Sequence, residues 1–181
     1  MLQLAPTQSS QFITALLIVG PYCREPLTLE FQGSVTSRPY VEMTLAMMRR
    51  FGADVQVDPR FQAIQVNAGA YRACDYTVEP DASGATYFMA AAAISPGSRC
   101  TIEGLGRRSL QGDVAFADVL HQMGAGLTFG TDFITILGPD ESQRLRGVDV
   151  DMNRMPDAAM TLAAIAPLCA GPTAIRNIGN L

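Results

Sequence analysis

The sequence predicts an α/β protein with helices inside and sheets outside, assembled from a repeated supersecondary unit. Three observations predict it. Apolar helical segments recur at 9–17, 85–93 and 157–165, with Phe12, Phe88 and Met160 in one register and spacings of 76 and 72 residues. The first two are followed by strand-like and helix-like periodicities in the same order. The glycines that stop the second helix of each repeat, Gly52 and Gly124, fall at equivalent places, which argues for duplication over shared composition.

Each element follows from its local pattern. After three polar residues, segment 9–17 is apolar nearly all round, as expected of a helix buried between sheets. Leu27–Phe31 alternates like a strand, and 40–51 carries Val41, Leu45 and Met48 at helical spacing up to the stop at Gly52. Val55-Gln56-Val57 and 63–66 read as a hairpin pair around Asp58-Pro59. In the second repeat, helix 85–93 leads to strand 100–103, helix 114–123 and a hairpin of Leu127-Thr128-Phe129 with 133–136. The helix at 157–165 opens a third repeat.

Composition narrows the classes of function. With 181 residues and 48% apolar content, the chain can bury the core of one or two domains. A net charge of −4 and a pI near 4.9 provide no basic field for nucleic acid or an anionic membrane. All 13 basic residues are arginines, so a mechanism needing a lysine amine must find it elsewhere. Cys23, Cys74, Cys100 and Cys169 lie far apart with no C-x-x-C, and His121 has no metal-ligand neighbours, so no metal site is expected. The cysteines read as buried free thiols in a reducing cytoplasm. The first residues lack a basic flank, and no apolar run approaches the roughly 20 residues of a membrane span. A soluble, cytoplasmic protein with no export address is therefore expected.

Several helix starts carry residues suited to chemistry. A helix start offers unpaired N–H groups and positive partial charge, so Ser9-Ser10-Gln11 could cradle a phosphate or could simply cap its helix. Ser37-Arg38-Pro39-Tyr40 has the same form, with proline placed for the first turn. Asp157 follows Pro156 and opens an apolar helix, as a dipole-stabilised cap or as an acid/base group over a site. Asp81 is similar and reads as structural. The stretch 104–113, Gly-Leu-Gly-Arg-Arg-Ser-Leu-Gln-Gly-Asp, looks like a glycine-rich nucleotide loop but lacks G-x-G-x-x-G spacing and a P-loop lysine.

Taken in order, several stretches resemble one family. They are Ser-Ser-Gln-Phe-Ile-Thr-Ala-Leu-Leu from Ser9, Ser-Arg-Pro-Tyr from Ser37 and Glu-Pro-Asp-Ala-Ser-Gly-Ala-Thr-Tyr-Phe from Glu79. Leu-Gln-Gly-Asp from Leu110, Phe-Ala-Asp-Val-Leu from Phe116, Met-Pro-Asp-Ala-Ala-Met-Thr from Met155 and Arg-Asn-Ile-Gly-Asn from Arg176 complete the set. The family is that of the 5-enolpyruvylshikimate-3-phosphate (EPSP) synthases, or 3-phosphoshikimate 1-carboxyvinyltransferases. The resemblance implies the enolpyruvyl transferase fold, two domains built from βαβαββ units around buried helices. Residues 1–78 would close the N-terminal domain and 79–181 would begin the C-terminal one, giving two partial domains. The implied reaction moves the enolpyruvyl group of phosphoenolpyruvate to the 5-hydroxyl of shikimate 3-phosphate, without metal or organic cofactor.

By the same resemblance, Ser9, Ser10 and Ser37 hold the shikimate phosphate, Gln11 reaches both substrates and Tyr40 lines the shikimate pocket. Asp157 accepts the 5-hydroxyl proton, and Asn180 binds shikimate 3-phosphate from the turn that follows. The partners implied are these two small molecules, with no nucleic acid and no membrane, and the full-length enzyme is expected to be a monomer. A Lys-Ser motif, a glycine-rich phosphoenolpyruvate loop and an arginine are expected before Met1, and a Lys-Glu-Thr-Asp-Arg segment and later basic residues after Leu181. The chain alone is therefore expected to be inactive. Two rival readings are a non-catalytic truncated chain and the sister transferase acting on UDP-N-acetylglucosamine, whose reactive-cysteine sequence is not evident here.

Overall fold

In the computed structural model of the chain, the described residues are 1–6 and 9–179. They fall into two compact units, Met1–Thr77 and Val78–Leu181.

In the first unit, strand β1 (Leu2–Leu4) runs through helix α1 (Gln11–Val19) into strand β2 (Leu27–Phe31), which lies parallel to it with Leu4 opposite Phe31. Helix α2 (Arg38–Arg50), strand β3 (Val55–Val57) and strand β4 (Ala63–Val66) follow, and the sheet order is β1-β2-β4-β3. The alternation in Leu27–Phe31 places Leu29 opposite Ile64 in the core. Helix α2 buries Val41, Leu45 and Met48, one stripe at i, i+4, i+7, against Ile13 and Leu17 of α1. Leu17, Leu29, Ile64 and Val66 are fully enclosed, each contributing about 1.5–3 kcal/mol through burial.

The second unit starts with helix α3 (Ala82–Ile94), followed by strand β5 (Arg99–Glu103) and helix α4 (Phe116–Met123). Strands β6 (Gly126–Phe129) and β7 (Phe133–Leu137) complete an antiparallel sheet of order β5-β7-β6, the arrangement of β2-β4-β3. Strand β8 (Asp149–Asp151), helix α5 (Pro156–Ile165) and strand β9 (Ala174–Arg176) then repeat β1-α1-β2, with β8 and β9 parallel. Met89, Phe116, Leu120, Met123, Ile134, Ile136 and Leu162 form the core.

The duplication extends to individual hydrogen bonds. At the end of α2, Gly52 takes φ +82, its N–H donates to the Arg49 carbonyl, and the Ala53 N–H donates to the Met48 carbonyl. At the end of α4, Gly124 takes φ +113, with matching bonds to His121 and from Ala125 to Leu120. Both are Schellman stops, which require a left-handed residue that glycine adopts without penalty.

Three details depart from the sequence reading. The helices α1, α3 and α5 are enclosed on one side only: the register-equivalent Phe12, Phe88 and Met160 remain 66%, 65% and 66% exposed. Each packs onto its own sheet and neighbouring helix, and no element in the described residues covers the opposite flank. The thiols are not buried either, since Cys23 and Cys74 are exposed and Cys100 and Cys169 half-buried. The segment expected as helix from Val114 begins with a 3-10 turn over Gly112–Ala115.

Candidate functional site

In the first unit, both helices follow strands of the parallel pair, so the starts of α1 and α2 stand at the carboxyl edge of β1 and β2. In open α/β sheets this edge is where ligands bind. Ser9, Ser10 and Gln11 are at the first start, and Ser37 and Tyr40 at the second. Ser10 and Ser37 are buried, Ser9 and Tyr40 half-buried, and Gln11 exposed.

Capping explains only part of this arrangement. The Ser9 Oγ accepts the Gln11 N–H at 3.2 Å, a capping-type bond. Ser10 and Ser37 hold the N-cap positions, yet neither side chain makes the capping bond. Ser37 has φ +49, in the left-handed region, where a normal N-cap is extended. A non-glycine residue there is strained by about 1–3 kcal/mol, and such strain concentrates at functional sites. The next side chain, Arg38, lies 4.2 Å over the Phe61 ring and pairs with Glu42 at 2.8 Å. A shallow dent at this edge, lined by Leu4, Ile13, Phe31 and Val35, includes none of the candidate polar residues.

In the second unit, Asp157 takes the corresponding place. It lies exposed in the first turn of α5, after buried Pro156, at the carboxyl edge of the parallel β8 and β9. The segments leaving these strands are tied together. The Asn153 N–H donates to Asp151 Oδ1 at 2.8 Å, Asn177 Nδ2 donates to Asp151 Oδ2 at 2.6 Å, and Asn153 Nδ2 donates to the Asn177 carbonyl at 3.2 Å. The Asn153 N–H, then the Asn177 amide, holds the Asp151 carboxyl below its ordinary value. Arg176 forms a fork on Asp149, with both N–H···O distances at 2.6 Å, and its hydrogen bond lowers the Asp149 pKa. The Asn180 position lies outside the described residues.

The glycine-rich stretch 104–113 serves packing. The N–H groups of Gly104, Arg107 and Arg108 donate to the carbonyls of Asp132, Gly130 and Thr131, so these three are committed within the protein. Gly106 is a glycine because a Cβ there would come within 2.6 Å of Thr131 backbone atoms. The loop's far end completes α3: Gln111 Oε1 accepts the Ala82 N–H at 2.9 Å, while its Nε2 donates to the Pro80 carbonyl at 2.7 Å and to Glu79 at 3.0 Å. Glu79 also accepts from the Ser109 hydroxyl at 2.7 Å, and Ser83 bonds Asp113. Asp81 holds the N-cap position without a side-chain capping bond, so the cap comes from Gln111 instead.

Sequence reasoning missed the Gln111 cap and the Asp151–Asn153–Asn177 tie. The first joins residues 29 apart and has no local signature. The second had one: Asp followed two residues later by Asn is an Asx-turn pattern, and Asn177 at φ +56 is a residue that tolerates the left-handed region.

The family model described as EPSP synthase (3-phosphoshikimate 1-carboxyvinyltransferase) matches residues 2–181. A protein of Serratia proteamaculans (strain 568) named 3-phosphoshikimate 1-carboxyvinyltransferase is 47% identical over 174 residues, covering 95% of this chain and 39% of the relative. A Yersinia pestis bv. Antiqua (strain Angola) protein of the same name is 46% identical over the same shares. The chain thus spans about two fifths of the length of these relatives. Among solved structures, EPSP synthase from Acinetobacter baumannii superposes with a TM-score of 0.70 at 24% identity, over 96% of this chain and 40% of that one. The enolpyruvyl transferase NikO from Streptomyces tendae superposes with a TM-score of 0.72 at 23% identity, over 92% and 39%. These two likenesses establish the fold, enolpyruvyl transferase in type, and the match along nearly all of its length places the chain in the EPSP synthase family.

Proposed function

We propose that this chain is part of an enzyme that transfers the enolpyruvyl group of phosphoenolpyruvate to the 5-hydroxyl of shikimate 3-phosphate, releasing phosphate. One observation carries the reading. In a member of this family, parallel strand pairs end at helix starts bearing Ser9, Ser10, Gln11, Ser37 and Tyr40 in one unit and Asp157 in the other.

In the proposed step the 5-oxygen bonds to C2 of phosphoenolpyruvate and the bond from C2 to the phosphate oxygen breaks. Asp157 takes the 5-hydroxyl proton as the new bond forms, a transfer suited to a carboxylate held on a rigid helix. Ser9, Ser10 and Ser37 bind the phosphate of shikimate 3-phosphate, aided by two helix starts whose partial positive charge favours anions. Gln11 contacts both substrates, Tyr40 lines the ring pocket and Asn180 adds a contact to shikimate 3-phosphate. No metal or organic cofactor takes part.

Residues 1–78 and 79–181 are proposed as parts of the N-terminal and C-terminal synthase domains, in a monomeric cytoplasmic enzyme. No helix among the described residues is long and apolar enough to cross a membrane. Two multiply charged substrates need concentrated cationic groups. Turnover by the 181 residues alone is therefore expected to be negligible.

The test uses the full product of the gene that encodes this chain, assayed for phosphate release with both substrates. Asp157→Asn should lower kcat by about 10²–10⁴-fold, the usual contribution of a general base, with KM little changed. Ser10→Ala and Ser37→Ala should mainly raise KM for shikimate 3-phosphate. A folded wild type that forms no enolpyruvyl product would overturn the proposal.

A further inference from the structure

We propose that Asp151 is a positioning residue for Asp157, acting through a tie that locks the segment leaving β8 to the segment leaving β9. The inference rests on the function proposed above and adds a residue to it.

Asp151 is the last residue of β8, and its two carboxylate oxygens are divided between two segments. One accepts the Asn153 N–H at 2.8 Å, on its own segment, and the other accepts Asn177 Nδ2 at 2.6 Å, on the neighbouring one. Asn153 Nδ2 closes the ring by donating to the Asn177 carbonyl at 3.2 Å, beside the backbone bond from the Met152 N–H to the Arg176 carbonyl at 3.0 Å. A carboxylate serving only its own turn would need one of these bonds. Arg176, the register partner of Asp151, is engaged by Asp149, which leaves the Asp151 oxygens to the tie.

Beyond Asn153 a single turn leads to the proposed base. The Met155 N–H donates to the Met152 carbonyl at 3.0 Å, and Met152, Met155 and Pro156 are buried. The turn is thus fixed by apolar packing on one side and by the Asp151 ring on the other. Asp157 is exposed and one residue into its helix, so the direction of that helix start sets where its carboxylate lies. A misplacement of about 1 Å can cost on the order of 100-fold in rate. The lowered Asp151 pKa is consistent with two donors converging on its ionised form.

The experiment exchanges the two partners in the full gene product. D151N sets two amides against each other and N177D sets two carboxylates, whereas D151N/N177D restores one donor and one acceptor, with an aspartate that tolerates positive φ at position 177. Each single variant should lower kcat about tenfold or more while changing KM less than about threefold, and the double variant should recover to within about threefold of wild type. Hydrogen exchange across 152–158 should rise in the single variants and fall back in the double. Asn153→Ala, a milder change that removes only the closing bond, should lower kcat about threefold to tenfold, and it decides the matter if a single variant fails to fold. Single variants with wild-type kcat, or a double variant no better than they are, would overturn the inference while leaving the proposed reaction intact. A wild type without activity would overturn both.

Discussion

The hydroxyls of Thr86 and Thr161 meet at 2.9 Å in the buried seam between α3 and α5, one turn beyond Asp157. Thr86 also donates its proton to the Ser83 carbonyl at 2.6 Å, so Thr161 must be the donor in the pair. Thr161→Val should therefore cost about 1 kcal/mol in urea unfolding, whereas Thr86→Val, which orphans a buried hydroxyl, should cost about 1–3 kcal/mol. The double variant should cost less than the sum of the two, because it leaves no polar group stranded. Strict additivity would show that the hydroxyls do not pair.

Gln111→Ala removes the acceptor that caps α3 through Ala82 and two bonds that hold Pro80 and Glu79. A loss of about 1–2 kcal/mol is expected in thermal or urea unfolding, the upper part of the range for losing a helix cap. Arg107→Ala, at an exposed residue resting on the Phe129 ring, should cost about 0.5–1 kcal/mol. Equal losses in the two variants would contradict the special role given to Gln111.

The β8–β9 tie should depend on acid and not on base. Arg176 lowers the Asp149 pKa below the ordinary 3.8, and the Asn153 N–H and the Asn177 amide do the same for Asp151. A carboxylate with a lower pKa folded than unfolded contributes stability above the unfolded value and loses it as pH falls through the folded one. Protection of the Met152 amide from hydrogen exchange, corrected for intrinsic rates, should be flat from about pH 7 to 5 and decline below about 4. A decline centred near neutrality would assign the linkage to another group.

The chain between the two units should be the first site of proteolysis. The Tyr76 ring lies tilted against Phe51 with centroids 5.9 Å apart and Arg50 donates to the Asp75 carbonyl, while Glu79 is held by Ser109 and Gln111. Thr77 and Val78 lie between these anchors, outside any helix or strand, with Val78 79% exposed. Limited digestion with a protease that cleaves after small apolar residues should give two fragments divided near Val78, since exposed irregular segments are cut first. Initial cleavage inside α2 or α4 would contradict the anchoring described.

Much of this architecture was legible in the residues. Leu27–Phe31, Val55–Val57 and Ala63–Val66 alternate because one face meets a core, and Val41, Leu45 and Met48 mark the buried stripe of α2. Strands β1, β8 and β9 leave no signal in the sequence, because a three-residue strand is too short to show a period. The segments carrying Ser9, Ser10, Gln11, Ser37, Tyr40 and Asp157 were visible as polar starts to apolar helices. Their hydrogen bonding was not: Ser37 in the left-handed region and a helix capped by Gln111 from a distant loop depend on tertiary packing, which local pattern does not encode.

The Gln111 cap also couples the start of α3 to a distant sheet. Helix α3 bonds its middle turns within itself, but its first turn has a partner for the Ala82 N–H only when a loop 29 residues further along is closed. That loop is held in turn by the Gly130–Asp132 bend, to which Gly104, Arg107 and Arg108 are bonded, and so by the β6–β7 hairpin. Opening of that loop would free the first turn of α3 with it, so exchange of the Ala82 amide should report the integrity of the neighbouring sheet.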